Sequence, residues 1–278
     1  MNQIISIFNN LLVQLFLFIL LIGAVGYIIS IVNRVFYSLT GNSQAVCYAT
    51  GFIGTPIHEL AHASMCILFF HKIEEMKLFQ IGDDGTLGYV SHSYNSKSIY
   101  QRVGNYFIGI APMIVGGVVL MFGMKYLAPT MFIDFEEYVE DFVKLQRDGF
   151  GFEWFAYALV VIKGMFISLI NGIGHGYWYI FFILALCIAI HMNLSGADIK
   201  NSLSALPILV IILAVVNFAL GLIAPPIYKN FVSIISTVGG YIAGMLMIAL
   251  VFSILCLLIA LVVMVIRTAV VNLPFKRK

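Results

Sequence analysis

Charged side chains are scarce in this chain. Asp, Glu, Lys and Arg make up 10% of its 278 residues, whereas 62% of the residues are hydrophobic. A soluble domain of this length cannot bury so much apolar surface. The formal net charge is only +2, and no basic run indicates a nucleic-acid partner. The composition therefore predicts an integral, multi-pass protein of a lipid bilayer, and we expect the cell membrane to hold it.

Cysteine patterns are also absent. The four cysteines lie in apolar stretches without a C-x-x-C, at positions 47, 66, 187 and 256. This excludes a disulfide framework and a thiolate zinc site. Residues 1–30 lack a basic start, and their apolar run is too long for a cleaved signal. We interpret them as a retained membrane span.

Long apolar runs separated by short polar links are the main feature that is present. They predict an all-α polytopic membrane protein with about six to seven transmembrane helices and a single membrane domain over residues 1–278. The predicted spans are 11–33, 45–70, 103–127, a weak 154–170, 177–192, 203–223 and 231–266. The last two make up the C-terminal spans, 203–267. The basic tail favours a cytoplasmic C-terminus, yet the sidedness and the number of crossings stay open.

Two polar stretches interrupt this pattern. Residues 76–92 read as two strands around Gly-Asp-Asp-Gly, which predicts a small β-hairpin. It is either a plain connection or an edge strand onto which an extended peptide can add. His71 and His92, in the same stretch, are interpreted as surface histidines.

Residues 130–153 carry seven Asp or Glu against two Lys or Arg, which is typical of a solvated extramembrane loop or surface helix.

The most informative stretch is His58-Glu59-Leu60-Ala61-His62, an H-E-x-x-H. Residues four apart lie one above the other on a helix, so His58 and His62 can share one metal ion. Glu59 lies beside the pair, where it can take a proton from a water molecule instead of binding the metal. Ionisable groups at membrane depth are costly and are functional by default. The motif therefore predicts a zinc centre with Glu59 as its catalytic base.

The residues just before the motif predict a break in its helix. Thr55 and Pro56 resemble an N-cap followed by proline at the first helical position. A fresh helix would then begin at Pro56, after an interruption near Gly54. Such a break at membrane depth requires neighbouring protein or a water-filled cavity, and hydrolysis needs a cavity that admits water.

A catalytic zinc usually has three protein ligands and an open position, so a third ligand is needed. Asp198 stands alone between apolar spans, which is typical of a ligand, although an acid there also suits a helix N-terminus. His191 and His175 are rival ligands, because imidazole binds zinc as well. His191 is also a candidate for supporting a metal ligand by a hydrogen bond or for stabilising the oxyanion, and Asn193 is a candidate for orienting a substrate carbonyl.

Together, these features resemble the site-2 protease class of intramembrane zinc metallopeptidases, the M50-like group. The shared features are a membrane-embedded H-E-x-x-H, a following hairpin, a Gly-x-x-Pro over Gly109–Pro112 and a late isolated Asp. The resemblance covers about residues 50–200 and implies a catalytic core over 45–200. It also implies zinc ligands at His58, His62 and Asp198. The chain departs from the family pattern at Ala61, often Gly there, and at Ala197-Asp198-Ile199, where the family has Leu-Asp-Gly.

The expected activity is hydrolysis of peptide bonds in or next to transmembrane segments, with a membrane protein or membrane-inserted peptide as substrate. A metal-binding transporter or sensor is the alternative from another class, and a catalytically inactive, protease-like binding protein is a further one. Another alternative is a membrane metalloprotease of a different type, whose third metal ligand is a glutamate, either Glu153 or one in the cluster 136–140. Substrate identity and oligomeric state are not indicated by the sequence.

Overall fold

The computed structural model describes residues 2–41, 43–81, 86–147 and 149–271, and within them the chain is almost entirely helical. This confirms the predicted all-α class with one small hairpin. The helices are α1 (Asn2–Leu15), α2 (Ile22–Leu39), α3 (Gln44–Leu68), α4 (Ile99–Leu127), α5 (Pro129–Gln146), α6 (Glu153–Asn171), α7 (Trp178–His191), α8 (Gly196–Ile223) and α9 (Pro225–Val271). A π-helical segment, Phe16–Leu21, joins α1 to α2 without a break. The strands are β1 (Lys72–Lys77) and β2 (Tyr89–Ser93).

Five helical stretches of the described chain are long and apolar enough to cross a membrane. They are Gln3–Leu39, Ile99–Leu127, Glu153–Asn171, Gly196–Ile223 and Pro225–Ala269. The predicted spans 45–70 and 177–192 are not among them. Helix α7 has only 14 residues, about 21 Å against a hydrocarbon core of about 30 Å, and the polar motif lowers the hydropathy of α3. The predicted count of six to seven spans is therefore not confirmed.

The predicted interruption of the motif helix is wrong. Helix α3 runs without a break from Gln44 to Leu68, with Pro56 inside it. Packing explains this result, because α3 lies against both α4 and α7. A Cβ on Gly54 would overlap the carbonyl oxygen of Cys187 and the ring of His191. Gly54 therefore allows α7 to approach α3 closely, and tertiary contacts hold the helix through its proline.

The two-stranded antiparallel hairpin follows α3 as predicted, although it begins four residues earlier than expected. Lys72 pairs with Ser93 and Lys77 with Tyr89, with an irregularity on the first strand. A backbone hydrogen bond from Gln80 N to Leu87 O, 2.8 Å long, continues the pairing toward the turn. The predicted turn at 82–85 lies outside the described residues.

The acidic segment forms a helix, α5, of the surface type. Its buried face carries Met131, Phe135, Val139 and Phe142, and this face packs against α9 and α6. Acidic residues occupy the remaining face, as the charge pattern predicts for a solvated helix.

The core joins the central helix α4 to the last helices of the chain. Leu120 and Met124 of α4 are buried together with Phe181 of α7 and Phe252 of α9. The two phenylalanine rings meet edge to face, with centroids 5.6 Å apart. These contacts link the C-terminal spans to the elements that carry the H-E-x-x-H motif.

Candidate metal centre

His58 and His62 bring two ring nitrogens together, as their spacing predicts. Their Nε2 atoms are 3.1 Å apart. Nδ1 of His58 lies 2.7 Å from the carbonyl oxygen of His191, and Nδ1 of His62 lies 2.8 Å from that of Ile108. A carbonyl oxygen only accepts hydrogen bonds, so each Nδ1 carries the proton. Both Nε2 lone pairs are therefore free and point to one place, which is the arrangement of metal-ligating histidines.

Both carbonyl oxygens are free to accept these hydrogen bonds, because neither has a partner within its own helix. His191 is the last residue of α7, and the last carbonyls of a helix have no partner within it. Ile108 lies inside α4, four residues before Pro112. Proline has no backbone N–H, so the usual helical hydrogen bond to the Ile108 carbonyl is missing. Pro112 thus leaves that oxygen free for His62.

Asp198 completes the cluster from α8. Its Oδ1 is 3.5 Å from His62 Nε2. Its other oxygen, Oδ2, accepts a hydrogen bond from the backbone N–H of Ser195 at 2.8 Å, and Ser195 Oγ accepts one from the Asp198 N–H at 3.1 Å. This is a capping box at the start of the helix. The carboxylate therefore caps α8 with one oxygen and faces the histidines with the other.

The three side chains form a group that could hold a metal ion. One ligand atom from each of His58, His62 and Asp198 lies within 4.8 Å of the other two. Two imidazole nitrogens and one carboxylate oxygen are a donor set that zinc accepts. In the part of the chain that the structure describes, this group includes neither Glu153 nor the 136–140 cluster, the rival sources of a third ligand.

Gly109 brings α8 close enough for this arrangement. A Cβ at that position would overlap the carbonyl oxygen of Asp198 and the hydroxyl of Ser202. Ser202 in turn donates a hydrogen bond to the carbonyl of Tyr106, at 3.3 Å. The Gly-x-x-Pro element thus has two functions in the fold: its glycine lets α8 reach α4, and its proline frees the acceptor for His62.

Glu59 lies beside the metal-ligand group without being part of it. Glu59 is 6% exposed. Its carboxylate makes no hydrogen bond or ion pair to any residue that the structure describes. Gly88, just before β2, lies directly against it, since a Cβ there would be 2.8 Å from Glu59 Cγ and from Thr55 Cγ2. The end of the hairpin therefore lies next to the predicted base.

The remaining predicted site residues are placed differently. His191 donates from Nδ1 to the carbonyl of Cys187 at 3.0 Å, and its buried Nε2 has no hydrogen-bond partner within the ranges that the structure describes. It contributes to the centre through its backbone oxygen, which no sequence pattern indicates. That its ring supports a metal ligand or stabilises an oxyanion stays a prediction. His175, the other rival ligand, is exposed in the turn before α7 and is not in the metal-ligand group.

Asn193 joins two helices. Its Oδ1 accepts a hydrogen bond from Asn33 of α2 at 2.8 Å, and its Nδ2 donates to the carbonyl of Ile190 at 3.1 Å. Asn33 itself is fully buried and also donates to the carbonyls of Ala189 and Ile190. This contact fixes the end of α7, and with it the carbonyl that holds His58. A role for Asn193 in orienting a substrate stays a prediction.

The interpretation of His71 as a surface residue is wrong. It is 5% exposed, its Nε2 lies 2.8 Å from the carbonyl oxygen of Gln101, and its Nδ1 lies 3.1 Å from Nδ1 of His92. Burial lowers the pKa of both histidines below the ordinary value. A polar stretch predicts a solvated histidine, but β2 returns close to the end of α3 and covers His71.

Comparison of the chain with protein-family models, with curated proteins and with solved structures finds no match. The geometry of the centre therefore indicates what the chain can do.

Proposed function

We propose that this chain is a membrane-embedded zinc metallopeptidase that cleaves peptide bonds in or next to transmembrane segments of other proteins. The observation that carries the proposal is the convergence of His58 Nε2, His62 Nε2 and an Asp198 oxygen, with Glu59 adjacent and not among the ligands. A site that only stores or transports a metal needs ligands but no free carboxylate beside them. Glu59, which has no hydrogen-bond or ion-pair partner among the described residues, therefore favours hydrolysis.

The donor set supports zinc as the ion. Catalytic zinc is commonly held by three protein side chains, two of them imidazoles, which leaves a further position open. The hydrogen bonds from Nδ1 of His58 and His62 to backbone carbonyls fix the rings and raise the basicity of the opposite nitrogens. A zinc ion held there supplies Lewis-acid polarisation of the substrate carbonyl.

Glu59 is the general base in this proposal. Its carboxylate takes a proton from the attacking water as the new carbon–oxygen bond forms at the peptide carbonyl. The same carboxyl group then returns that proton to the amide nitrogen as the carbon–nitrogen bond breaks. One water molecule is consumed, and a carboxylate and an amine are released. Gly88 has no side chain, so the hairpin backbone lies directly against Glu59 on that side.

The hairpin suggests how a substrate is held. A helix hides its peptide bonds, so a transmembrane substrate must be extended locally before cleavage. In the described chain β1 and β2 pair only with each other, which leaves the outer edge of each strand unpaired. An extended peptide can add to such an edge through backbone hydrogen bonds. Because Gly88 adjoins Glu59, a peptide paired along β2 would pass the metal centre.

The decisive experiment is Glu59→Gln in protein purified in detergent. We expect wild type to bind about one zinc per chain and to cleave a model protein with a single transmembrane helix in proteoliposomes. Glu59→Gln should keep the zinc and lose at least about 100-fold in turnover, since general acid–base catalysis contributes roughly 10²–10⁴-fold. Glu153→Gln is the matched control and should behave as wild type.

Other outcomes separate the alternatives. Zinc in the wild type without cleavage of any tested membrane protein would favour a metal-binding transporter, a sensor or an inactive binding protein. Loss of zinc in Glu59→Gln would mean that Glu59 is a ligand and not the base. An absence of zinc after reconstitution would refute the metal centre itself.

A further inference from the structure

The contact between His71 and His92 fixes the protons of both rings. Nε2 of His71 lies 2.8 Å from the carbonyl oxygen of Gln101, so this nitrogen carries the proton. Nδ1 of neutral His71 must then accept. Its partner, Nδ1 of His92 at 3.1 Å, must donate. Neutral His92 is therefore held in the tautomer whose Nε2 has no proton and can only accept a hydrogen bond.

Neighbouring residues pack around His71. The ring of Tyr94 stacks on His71, with centroids 5.0 Å apart and planes 17° apart. A Cβ on Gly104 of α4 would lie 3.1 Å from His71 Nε2. The side chain of Gln101 donates to the carbonyl of Phe70 at 2.7 Å. The orientation of His92 is thus set by contacts from the end of α3 and the start of α4.

The path of β2 places His92 on the metal side of the hairpin. Gly88 lies against Glu59 and immediately precedes β2, and the hairpin pairing continues past it to Leu87. Because side chains at every second position of an extended chain share a face, position 92 faces the same way as position 88. Four residues of strand cover about 13 Å, which carries His92 along α3 in the direction of His71. His62 and Asp198 are close enough to act on the pKa of His92: burial lowers it most, His71 and His62 lower it further, and Asp198 opposes them.

His92 has an acceptor that the fold does not use. Its Nε2 makes no hydrogen bond to any residue in the described ranges, and the residue is only partly exposed. By contrast, both ring nitrogens of His71 are occupied. A neutral, single-tautomer acceptor on the face of the hairpin that adjoins Glu59 is suited to bind a backbone N–H of a peptide that lies along the hairpin.

We propose that His92 Nε2 accepts a hydrogen bond from a backbone N–H of the bound peptide, and that His71 is the positioning residue that fixes its tautomer. This inference rests on the proposed peptidase function. It adds a substrate-binding group on the hairpin, outside the H-E-x-x-H motif and Asp198. The chain thereby holds its substrate in an extended form through a side chain as well as through a strand edge.

Steady-state kinetics on the same model substrate test the proposal. His92→Phe keeps a ring but removes the acceptor, and KM should rise about three- to tenfold with kcat unchanged, the effect of one neutral hydrogen bond. His92→Gln offers Oε1 in its place and should recover most of the affinity. His71→Phe frees the tautomer of His92 and should give a smaller rise in KM. The exposed His175→Phe is the control, with no change expected.

A second readout does not depend on turnover. Diethyl pyrocarbonate attacks neutral imidazole nitrogens, so mass spectrometry should find His92 modified and His71 intact. A saturating tripeptide hydroxamate, as a metal-binding peptide mimic, should protect His92 and leave His175 equally reactive. Unchanged KM in His92→Phe, or no protection by the hydroxamate, would overturn the assignment of His92. Protection without any wild-type cleavage would instead refute the peptidase function, while His92 would remain assigned as a group that binds a peptide.

Discussion

The carbonyl oxygen of Ile108 accepts the hydrogen bond of His62 Nδ1 at 2.8 Å. It is free to do so because Pro112, four residues later in α4, has no N–H to offer it. A proline that weakens one helix therefore orients His62, a candidate metal ligand, on another. The equivalent acceptor for His58 is the carbonyl of His191, at the end of α7. Both ligands are thus fixed by backbone groups that are left unpaired within their own helices.

Pro112→Ala tests this relationship. The new N–H at 112 would compete for the Ile108 carbonyl, so His62 would lose its exclusive partner. We expect zinc affinity to fall by about tenfold or more, the typical effect of losing such a supporting contact. The stability of the metal-free protein should not fall, because alanine is the better helix former. Competition with a zinc chelator and a thermal unfolding midpoint in detergent measure the two effects.

Pro207→Ala is the matched control, since Pro207 lies inside α8 and is exposed. It should change helix stability without changing zinc affinity. Equal zinc affinity in wild type and Pro112→Ala would show that the proline has no part in orienting His62.

The capping box of α8 gives a second prediction, on the two functions of Asp198. Asp198→Asn keeps the size of the side chain but removes its charge, and we expect zinc to be lost from the purified protein. Ser195→Ala removes one cap contact and leaves the carboxylate less well oriented. It should cost about 1 kcal/mol of stability and about tenfold in zinc affinity.

Metal analysis and chelator competition distinguish these variants. Ser204→Ala is the control, because Ser204 is exposed and, among the described residues, its hydroxyl bonds only to the carbonyl of Asn201. Zinc retained at full occupancy in Asp198→Asn would contradict the assignment of the third ligand. It would direct attention to the buried, unpartnered Nε2 of His191.

The features of the site that depend on local sequence could be predicted. The i, i+4 spacing brings His58 and His62 together on one helix, and the isolation of Asp198 among apolar residues marks it as a group with a partner. Contacts between distant elements were not predictable. The continuity of α3 through Pro56 depends on its packing against α7. The acceptors on Ile108 and His191 are backbone atoms, which carry no residue-type signal at all.

Burial by a distant segment is likewise not predictable from local sequence. His71 was expected at the surface, but the return of β2 and the start of α4 cover it. The predicted count of six to seven spans is not confirmed, because α3 and α7 lack the length or hydropathy of the five long apolar stretches. A helix enclosed by other helices, as α3 and α7 are on several sides, need not be as long or as apolar as one that faces lipid throughout.

The burial of His71 and His92 also predicts a dependence of stability on pH. Both have a pKa below the ordinary value of 6.5 in the folded protein, chiefly through burial. The unfolded chain therefore binds more protons than the folded one as pH falls below about 6.5, so stability is lost toward acid. We expect the thermal midpoint of metal-free protein to fall between pH 7.5 and pH 5, and to fall less in the double variant His71→Phe, His92→Phe. The exposed His175→Phe should keep the wild-type slope, and equal slopes in wild type and double variant would contradict the role of this pair. A chelator in every sample keeps the proton release of metal binding out of the comparison.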